Sequence, residues 1–286
     1  MSVAFATSEA WSTLTPDDRL AADALLRRGI DVVPAVWSDP SVPWTSHDAI
    51  VIRSTWDYHL RPSEFGAWID MLEQDGCAVW NPCPLLRWNA NKRYLADLEA
   101  RGVPIVPTAW IPAATPAALR DVMEARGWND VVVKPAISAT AYGTRRVTRG
   151  DAELGAALPE TGASQGEVLV QPFLSEIETA GEWSLMFFGG SFSHAVRKRP
   201  TPGDFRVQSE YGGSAIAQRA PPSVIAAAER VLAAVDGPWL YARVDGVEAG
   251  DGFRLMELEM LEPLLFLKTD AGAAARFASA ILAALA

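Results

Sequence analysis

Cysteine and histidine are scarce in this sequence, and their spacing excludes two common kinds of site. The 2 cysteines, Cys77 and Cys83, are separated by five residues and have no histidine nearby. This spacing excludes a disulfide framework and a zinc site, so we interpret both as incidental thiols of a reducing cytoplasm. The 3 histidines, His47, His59 and His194, are far apart and show no spacing typical of a serine–histidine–aspartate triad.

Long apolar runs and positive charge are also in short supply. No apolar run approaches the ~20 residues that span a bilayer, and residues 1–7 lack the basic start of a signal peptide. The chain has 25 Lys and Arg against 35 Asp and Glu, a net charge of −10. Because nucleic acids bind basic surfaces, a general nucleic-acid partner is excluded. We expect a cytoplasmic protein without a membrane partner, whose 286 residues form one large domain or two to three small ones.

A predicted β-hairpin over residues 241–263 is the most informative stretch, with its turn at Gly250-Asp251-Gly252. Side chains alternate between the two faces of a strand, so a hairpin folded about residue 250 brings odd-numbered residues together. One face then carries a polar cluster: Arg243, Asp245, Glu257 and Glu259. The other face is apolar and is expected to pack on a core: Met256, Leu258 and Met260. Such carboxylates suit Mg²⁺, and a solvated acidic face is the alternative.

The N-terminal residues predict a small parallel α/β unit. Strands are expected over residues 2–7, 30–37 and 49–53. The helix between the first two strands begins at Pro16 with Thr15 as its N-cap and runs to Arg28. A second, amphipathic helix is expected over residues 62–75.

The loop after the third strand is a candidate substrate pocket. Ligands of open α/β sheets bind beyond the carboxyl ends of strands. A cation, two hydroxyls, a carboxylate and two aromatic rings stand at that position: Arg53, Ser54, Thr55, Trp56, Asp57 and Tyr58. Arg53 is predicted to hold a carboxylate or phosphate. A polar loop capped by Asp57 and anchored by Trp56 is the alternative.

The middle of the chain offers two lysines and a loop of small residues. A chain break is expected at residues 82–84, and Lys92 is placed in the first turn of a helix that starts near Asn89 and runs to Arg101. Lys134 ends a strand over residues 130–134, and a second strand resumes at Arg145. Small residues let backbone N–H groups approach phosphate oxygens, and hydroxyls add donors. The candidates in this loop are Ser138, Thr140 and Gly143. A hairpin loop without a ligand is the alternative.

A group of cations follows a predicted hairpin over residues 182–198, whose turn is Gly189-Gly190. Lys198 lies at the end of this hairpin, and Arg206 and Gly212-Gly213 come shortly after it. In an acidic protein these cations indicate an anion site, with a solvated basic strand end as the alternative. A strand over residues 167–173 precedes the hairpin, and helices are expected over residues 222–234 and 271–285.

The order of these motifs resembles the ATP-grasp ligases over roughly residues 85–270. The motifs are Lys92, Val-Val-Lys134-Pro, Val-Gln171-Pro-Phe, Gly181-Glu182, Lys198, Arg206 with Gly212-Gly213, Arg243-Val-Asp245 and Glu257-Leu-Glu259. The resemblance implies an α/β and α+β fold, in which two halves grip ATP behind a small parallel α/β (pre-ATP-grasp) domain. The implied division is an N-terminal substrate domain over 1–84, a central lid subdomain over 85–170 and a C-terminal subdomain over 171–286.

Residue roles follow from the resemblance alone. It implies that Lys92, Lys134 and the loop 138–144 contact the ATP phosphates. Gln171 and Phe173 would lie by the adenine, and Glu178 or Glu182 by the ribose. Mg²⁺ would be bound by Asp245, Glu257 and Glu259, and Glu259 replaces the asparagine of the common family pattern, which changes the local charge. The transferring phosphate would be stabilised by Arg243 and Arg206, with Lys198 beside them, and Gly212 and Gly213 would border the substrate.

The implied chemistry is phosphorylation of a carboxylate by ATP, followed by attack of an amine on the acylphosphate. The stretch from Arg53 to Tyr58 and the stretch from Glu257 to Pro263 resemble the subgroup that includes the D-cycloserine-forming cyclo-ligase. Those enzymes act on O-ureido-D-serine and close an isoxazolidinone ring. The alternatives are an intermolecular ligase of an amino acid or dipeptide, and a nucleotide-binding module without catalysis. A homodimer is compatible with the resemblance, but no stretch of the sequence marks an interface.

Overall fold

The structure is a computed structural model, and it describes residues 1–112, 114–151, 166–208, 211–250 and 252–286. Asp251, at the predicted hairpin turn, lies outside these residues. Within them the chain forms three four- or five-stranded sheets. None of the helices in the described ranges is both long and apolar enough to cross a membrane.

The N-terminal sheet is parallel, as the sequence predicts. Its strands are β1 (Ser2–Thr7), β2 (Asp31–Val36), β3 (Ala49–Ser54) and β4 (Val79–Trp80), in the order β2-β1-β3-β4. Helix α1 (Pro16–Leu26) connects β1 to β2, and helix α2 (Pro62–Gln74) connects β3 to β4. The Thr15 hydroxyl accepts a hydrogen bond from the backbone N–H of Asp18, so the predicted N-cap is confirmed.

The connection to the middle sheet differs from the sequence prediction. Two short helices, α3 (Cys83–Asn89) and α4 (Tyr94–Ala100), replace the expected break and single helix. Pro84 lies in the first turn of α3, where its missing N–H costs nothing. Lys92 therefore lies between the two helices and not in a first turn, and its backbone N–H donates to the carbonyl of Ala136.

The middle sheet is antiparallel and has the order β5-β8-β6-β7. Its strands are β5 (Ala109–Ile111), β6 (Asp130–Pro135), β7 (Arg145–Thr148) and β8 (Val168–Pro172). Helix α5 (Pro116–Arg126) packs on it through buried Leu119 and Met123. Strand β8 runs across residue 170, and the division of the chain at residues 84 and 170 stays a prediction.

The C-terminal sheet is antiparallel and has the order β11-β10-β9-β12-β13. Its strands are β9 (Glu182–Phe188), β10 (Ser191–Arg199), β11 (Ser214–Ala217), β12 (Tyr241–Ala249) and β13 (Gly252–Glu259). Helices α6 (Glu176–Thr179), α7 (Pro222–Ala233) and α8 (Ala273–Ala284) complete it. Both predicted hairpins are confirmed, and one hydrophobic cluster joins Phe5 of the N-terminal sheet to Tyr241 and to Phe277 of α8.

The register of the β12–β13 hairpin is the predicted one at its functional end. Arg243 pairs with Glu259 and Asp245 pairs with Glu257. A bulge follows, so that Gly246 pairs with Leu255 and Met256 has no partner across the ladder. The extra residue turns Met256 away from the core face that buries Leu258 and Met260. Met256 packs instead on a small cluster with Ile177, Val207 and Val247, which corrects the prediction for this side chain.

Candidate active site

A cavity of about 210 Å³ lies where the three sheets meet. The N-terminal loop contributes Trp56 and Tyr58, the middle sheet contributes Lys134 and Gln171, and the C-terminal sheet supplies most of the charged wall. The predicted site residues that line it are Trp56, Tyr58, Lys92, Lys134, Ser138, Thr140, Gln171, Glu182, Lys198, Arg206, Gly213, Arg243, Glu257 and Glu259. Folding thus gathers most candidates from the length of the chain around one space.

Asp245 is the centre of a buried hydrogen-bond network behind this wall. Its carboxylate accepts from the Ser184 hydroxyl at 2.5 Å, from Lys198 Nζ at 3.2 Å and from Arg243 Nη2 at 2.8 Å. Burial opposes ionisation of this group, but Arg243 and Lys198 outweigh burial and hold the pKa of Asp245 at about 2. Lys198 is also paired with Glu182. Asp245 itself does not line the cavity.

Arg243 connects this network to the cavity. Its guanidinium pairs with both Asp245 and Glu259, and Nη1 donates to the carbonyl of Leu264 at 3.1 Å. Burial raises the pKa of Glu259 to about 8, because the neighbouring Glu257 and Asp245 add to burial and Arg243 offsets them only in part. Arg243 therefore neutralises Glu259 only in part, and a further cation beside Glu259 would favour its ionised form.

Two lysines line the same cavity. Lys92 Nζ lies 2.7 Å from Glu257 and donates to the carbonyl of Ser138 at 2.8 Å. Lys134 lines the cavity without a hydrogen bond or ion pair to any described residue. Burial lowers the pKa of Lys134, and Glu257 opposes that shift. An anionic ligand in the cavity would supply the missing partner for this ammonium group.

The loop of small residues lies over one side of the cavity. Ser138, Thr140 and Thr144 line it, whereas Gly143 does not. Thr140 has a φ of 51°, in the left-handed region, which holds the loop in a tight turn. The ring of Tyr142 contacts the ring of His59, with centroids 4.9 Å apart. This contact ties the loop to the N-terminal unit.

The predicted adenine and ribose positions divide into two groups. Gln171 and Glu182 line the cavity, and the Gln171 side-chain amide donates to the Thr108 hydroxyl at 3.0 Å. Phe173 and Glu178 do not line it, because both contact Arg146 on the outer side of β7. The apolar wall beside Gln171 was not predicted from the sequence, since its residues have no motif: Val106, Val132, Leu174, Ile177, Met256 and Leu258.

Arg206 and Gly213 occupy the rim of the cavity. Arg206 is paired with Asp204 at 2.7 Å and stacks on the ring of Tyr211 at 3.6 Å. A side chain on Gly213 would place its Cβ 2.2 Å from the carbonyl oxygen of Val207, so only glycine fits there. Gly212, in contrast, does not line the cavity.

Most of the predicted substrate loop lies outside the cavity, which is a correction to the sequence prediction. Arg53 is 2% exposed, and its Nε donates to Asp18 at 2.8 Å while Nη2 donates to the carbonyl of Pro263 at 2.9 Å. Ser54 and Thr55 are fully buried, and Ser54 bonds to the hydroxyl of Thr7. Asp57 instead accepts from Trp37 and Arg61. Of the six residues, only the two aromatic rings, Trp56 and Tyr58, reach the cavity.

Glu262 is a cavity residue that sequence reasoning missed. It lines the space beside Leu261 and Leu264 and is 8% exposed. Burial raises its pKa to about 7, although Lys92 and Arg243 oppose the shift. The signal was present, because Glu262 continues the acidic series of Glu257 and Glu259, but it falls after the strand, where alternation no longer predicts direction.

The acidic residues were tested as a metal site. In the described ranges no group of three or more histidine, cysteine or acidic side chains converges on a point that could hold a metal ion. Asp245 is already engaged by its three donors. Glu257 and Glu259 remain as carboxylates that face the cavity, and their hard oxygen atoms fit Mg²⁺.

Comparisons with known proteins agree with this geometry. Residues 3–81 match the family of D-cycloserine synthetase DcsG N-terminal domains, and residues 103–242 match the ATP-grasp domain of prokaryotic glutathione synthetase. Cycloserine biosynthesis protein DcsG of Streptomyces lavendulae is 34% identical over 269 residues, which cover 88% of each chain. A crystal structure of D-cycloserine synthetase DcsG superposes with a TM-score of 0.90, 31% identity and full coverage of both chains.

A more distant structure shows how general the fold is. D-alanine–D-alanine ligase from Bacillus anthracis has a TM-score of 0.72 at 15% identity, covering 99% of this chain and 96% of that one, which is a likeness of fold alone. The fold and the charged cavity thus define an ATP-binding carboxylate–amine ligase. This chain belongs to the ATP-grasp family of ligases, in the group that contains the Streptomyces lavendulae protein.

Proposed function

We propose that this protein uses Mg²⁺ and ATP to activate the carboxylate of a small amino-acid-like substrate as an acylphosphate, which a nitrogen atom then attacks. The observation that carries the proposal is the meeting of Lys92, Lys134 and Arg243 with Glu257 and Glu259 around one cavity. Cations there stabilise the charge of a transferring phosphoryl group, while the carboxylates hold its counter-ion.

The proposal assigns roles to the polar and charged side chains of the cavity as follows. Lys92 and Lys134 bind the ATP phosphates, helped by the hydroxyls of Ser138 and Thr140. Gln171 and the apolar wall beside it receive the adenine, and Glu182 receives the ribose. Glu257 and Glu259 would hold Mg²⁺, which would neutralise negative charge on the ATP phosphates.

The proposed reaction has two steps. A carboxylate oxygen of the substrate attacks the γ-phosphorus of ATP, so that an O–P bond forms and the bond to ADP breaks. The nitrogen then attacks the acyl carbon, a C–N bond forms, phosphate leaves, and the proton of the nitrogen passes to solvent. Arg243 and Arg206 stabilise the charge on the transferring phosphate. Lys198 orients Asp245, which in turn fixes the guanidinium of Arg243.

We propose further that the attack is intramolecular and that O-ureido-D-serine is a substrate. The names and the similarity of the DcsG sequence and of the DcsG crystal structure support this choice. The aromatic rings of Trp56 and Tyr58 in the cavity lining also favour a small molecule over a protein terminus.

The test is ADP production by the purified protein with Mg²⁺ and ATP, first with O-ureido-D-serine and then with amino-acid mixtures. We expect ADP together with a ring-closed product, identified by its mass. If ADP forms only with other amino acids, the proposed ligase activity is kept and O-ureido-D-serine is rejected as the substrate. If ATP binds but no ADP forms with any of these substrates, a nucleotide-binding module without catalysis would be favoured instead. Lys134→Met is the matched control and should abolish ADP release while leaving the fold intact.

A further inference from the structure

Glu262 differs from the other carboxylates of the cavity in having no partner. Glu257 is paired with Lys92 and Glu259 is paired with Arg243. The Glu262 side chain makes no hydrogen bond or ion pair with any described residue, although it is more than nine-tenths buried. A buried carboxylate is costly unless it is paired. Its charge is therefore left for something that enters the cavity.

The backbone around Glu262 is held in place from many directions. Residues 258–265, which we call the clamped segment, follow the end of the β12–β13 ladder. Seven side chains hydrogen-bond to its carbonyl groups at 2.7–3.1 Å. The side chains, in the order of the carbonyls they reach, are Asn89, Asn81, Tyr241, Trp56, Arg53, Arg243 and His194.

This clamping has a consequence for binding. Because seven carbonyls of the segment are held, the backbone at Glu262 has a fixed position, and its side chain extends from that position into the cavity. Trp56 both lines the cavity and donates its indole N–H to the Glu262 carbonyl at 2.9 Å. The substrate loop of the N-terminal unit and the carboxylate thus form one rigid corner of the cavity.

The chemistry of this corner favours an organic cation. The rings of Trp56 and Tyr58 and the side chains of Leu261 and Leu264 line the cavity together with Glu262, and aromatic rings attract ammonium groups. Burial raises the pKa of Glu262 more than Lys92 and Arg243 lower it, so a cation bound at the corner would favour the ionised carboxylate. Of the two phosphate-binding lysines, Lys92 pairs with Glu257 and donates to the carbonyl of Ser138. Lys92 forms no ion pair with Glu262, although its charge opposes the rise in the pKa of Glu262.

We propose that Glu262 binds the primary ammonium group of the amino-acid substrate and selects for substrates that carry one. This inference rests on the proposed function, because it assigns a residue to the substrate of that reaction. It makes Glu262 a binding and specificity residue with no part in the transfer of the phosphoryl group. An amine held at the corner leaves the carboxylate of the same molecule free to face the γ-phosphate.

The experiment compares two ligands on two proteins. The ligands are O-ureido-D-serine and the analogue in which hydrogen replaces its α-amino group, and binding is measured by calorimetry in the presence of a non-hydrolysable ATP analogue. We expect the wild-type protein to bind the amine about 10- to 100-fold more tightly, the size of a charge-assisted hydrogen bond. In Glu262→Gln this preference should fall to about threefold or less, with ATP affinity unchanged.

Controls separate this role from the others. Glu99→Gln, an exposed carboxylate on α4, should keep the full preference. If Glu262→Gln bound both ligands more weakly by the same factor, the role of Glu262 would be structural only. If the Mg²⁺ requirement changed while the preference for the amine stayed intact, Glu262 would be a metal ligand. Either result overturns the proposal. Equal binding of the two ligands by the wild-type protein would also overturn it, and that measurement needs no variant. Failure of the proposed function would show differently, as ligand binding without ADP formation.

Discussion

Arg53 and Arg243 begin with the same description and end with different roles. Each lies in or at the end of a strand, is buried, and pairs with an aspartate at 2.8 Å. Arg243 also pairs with Glu259 and lines the cavity, whereas Arg53 packs over the rings of Tyr241 and Phe277 behind the cavity wall. Burial and an acidic partner are therefore not enough to identify a functional arginine. What decides is whether the guanidinium has a side open to the ligand.

The two arginines also act on one structure. Arg53 holds the carbonyl of Pro263 and Arg243 holds the carbonyl of Leu264, so both fix neighbouring peptides of the clamped segment. Arg53 therefore stabilises the backbone of the clamped segment without reaching the cavity, whereas Arg243 also adds a positive charge to the cavity wall. Substitutions at each position test whether the two roles, structural and electrostatic, are separate.

The largest effect is expected from Arg243→Met. Loss of a preorganised cation at the transferring phosphate should lower kcat about 100- to 1000-fold. The measurement is ADP release at saturating ATP and substrate, with the melting temperature as the check on folding. Arg230→Met, an exposed arginine on α7, should have no effect. If the Arg243→Met protein released ADP at the wild-type rate, the proposed role of Arg243 at the transferring phosphate would be wrong.

Arg53→Met should affect stability more than turnover. It leaves Asp18 as an uncompensated buried carboxylate, which costs about 3–5 kcal/mol of unfolding free energy in a urea titration. The double variant Arg53→Met/Asp18→Leu should recover much of that loss, because apolar replacement of a whole buried pair is often neutral. A stable Arg53→Met protein with a greatly raised KM would instead restore Arg53 to the substrate pocket.

Glu257→Gln should raise the Mg²⁺ concentration for half-maximal ADP release by about tenfold, because one charged oxygen ligand of the proposed metal site is lost. Glu178→Gln is the comparison, since Glu178 is paired with Arg146 outside the cavity and should leave the Mg²⁺ titration unchanged. Identical titrations for both variants would remove Glu257 from the metal site.

The smallest effect concerns His194, which holds the carbonyl next to those held by the two arginines. Its Nε2–H donates to Leu265, and burial lowers its pKa. Because the pKa of His194 is lower in the folded state, its contribution to the free energy of unfolding is complete above the unfolded-state pKa of about 6.5. That contribution is lost as the pH falls below this value. His194→Gln should therefore lose less unfolding free energy than wild type between about pH 7.5 and about pH 5.5. His59, whose pKa burial also lowers, keeps part of this dependence in both proteins.

Local patterns predicted much of this fold for a physical reason. Thr15 and Pro16 carry the chemistry of a helix start, and glycines at 189, 190 and 250 carry that of a turn, so short-range interactions suffice to place them. Alternation along β12 and β13 brought Arg243 opposite Glu259. The same rule failed at Met256, because a bulge adds one residue and reverses the direction of the side chain.

The sequence by itself determined the strands, the turns, the ATP-grasp resemblance and the pairing of charges across the hairpin, since each depends on residues close in the chain or on their order. Only the tertiary structure decided which charges face the cavity. Asp18 and the carbonyl of Pro263, which is far along the chain, hold Arg53 away from the cavity. Glu262 lines the cavity because side chains from distant elements hold its segment in place. Direction at these positions depends on long-range packing, which no local pattern encodes.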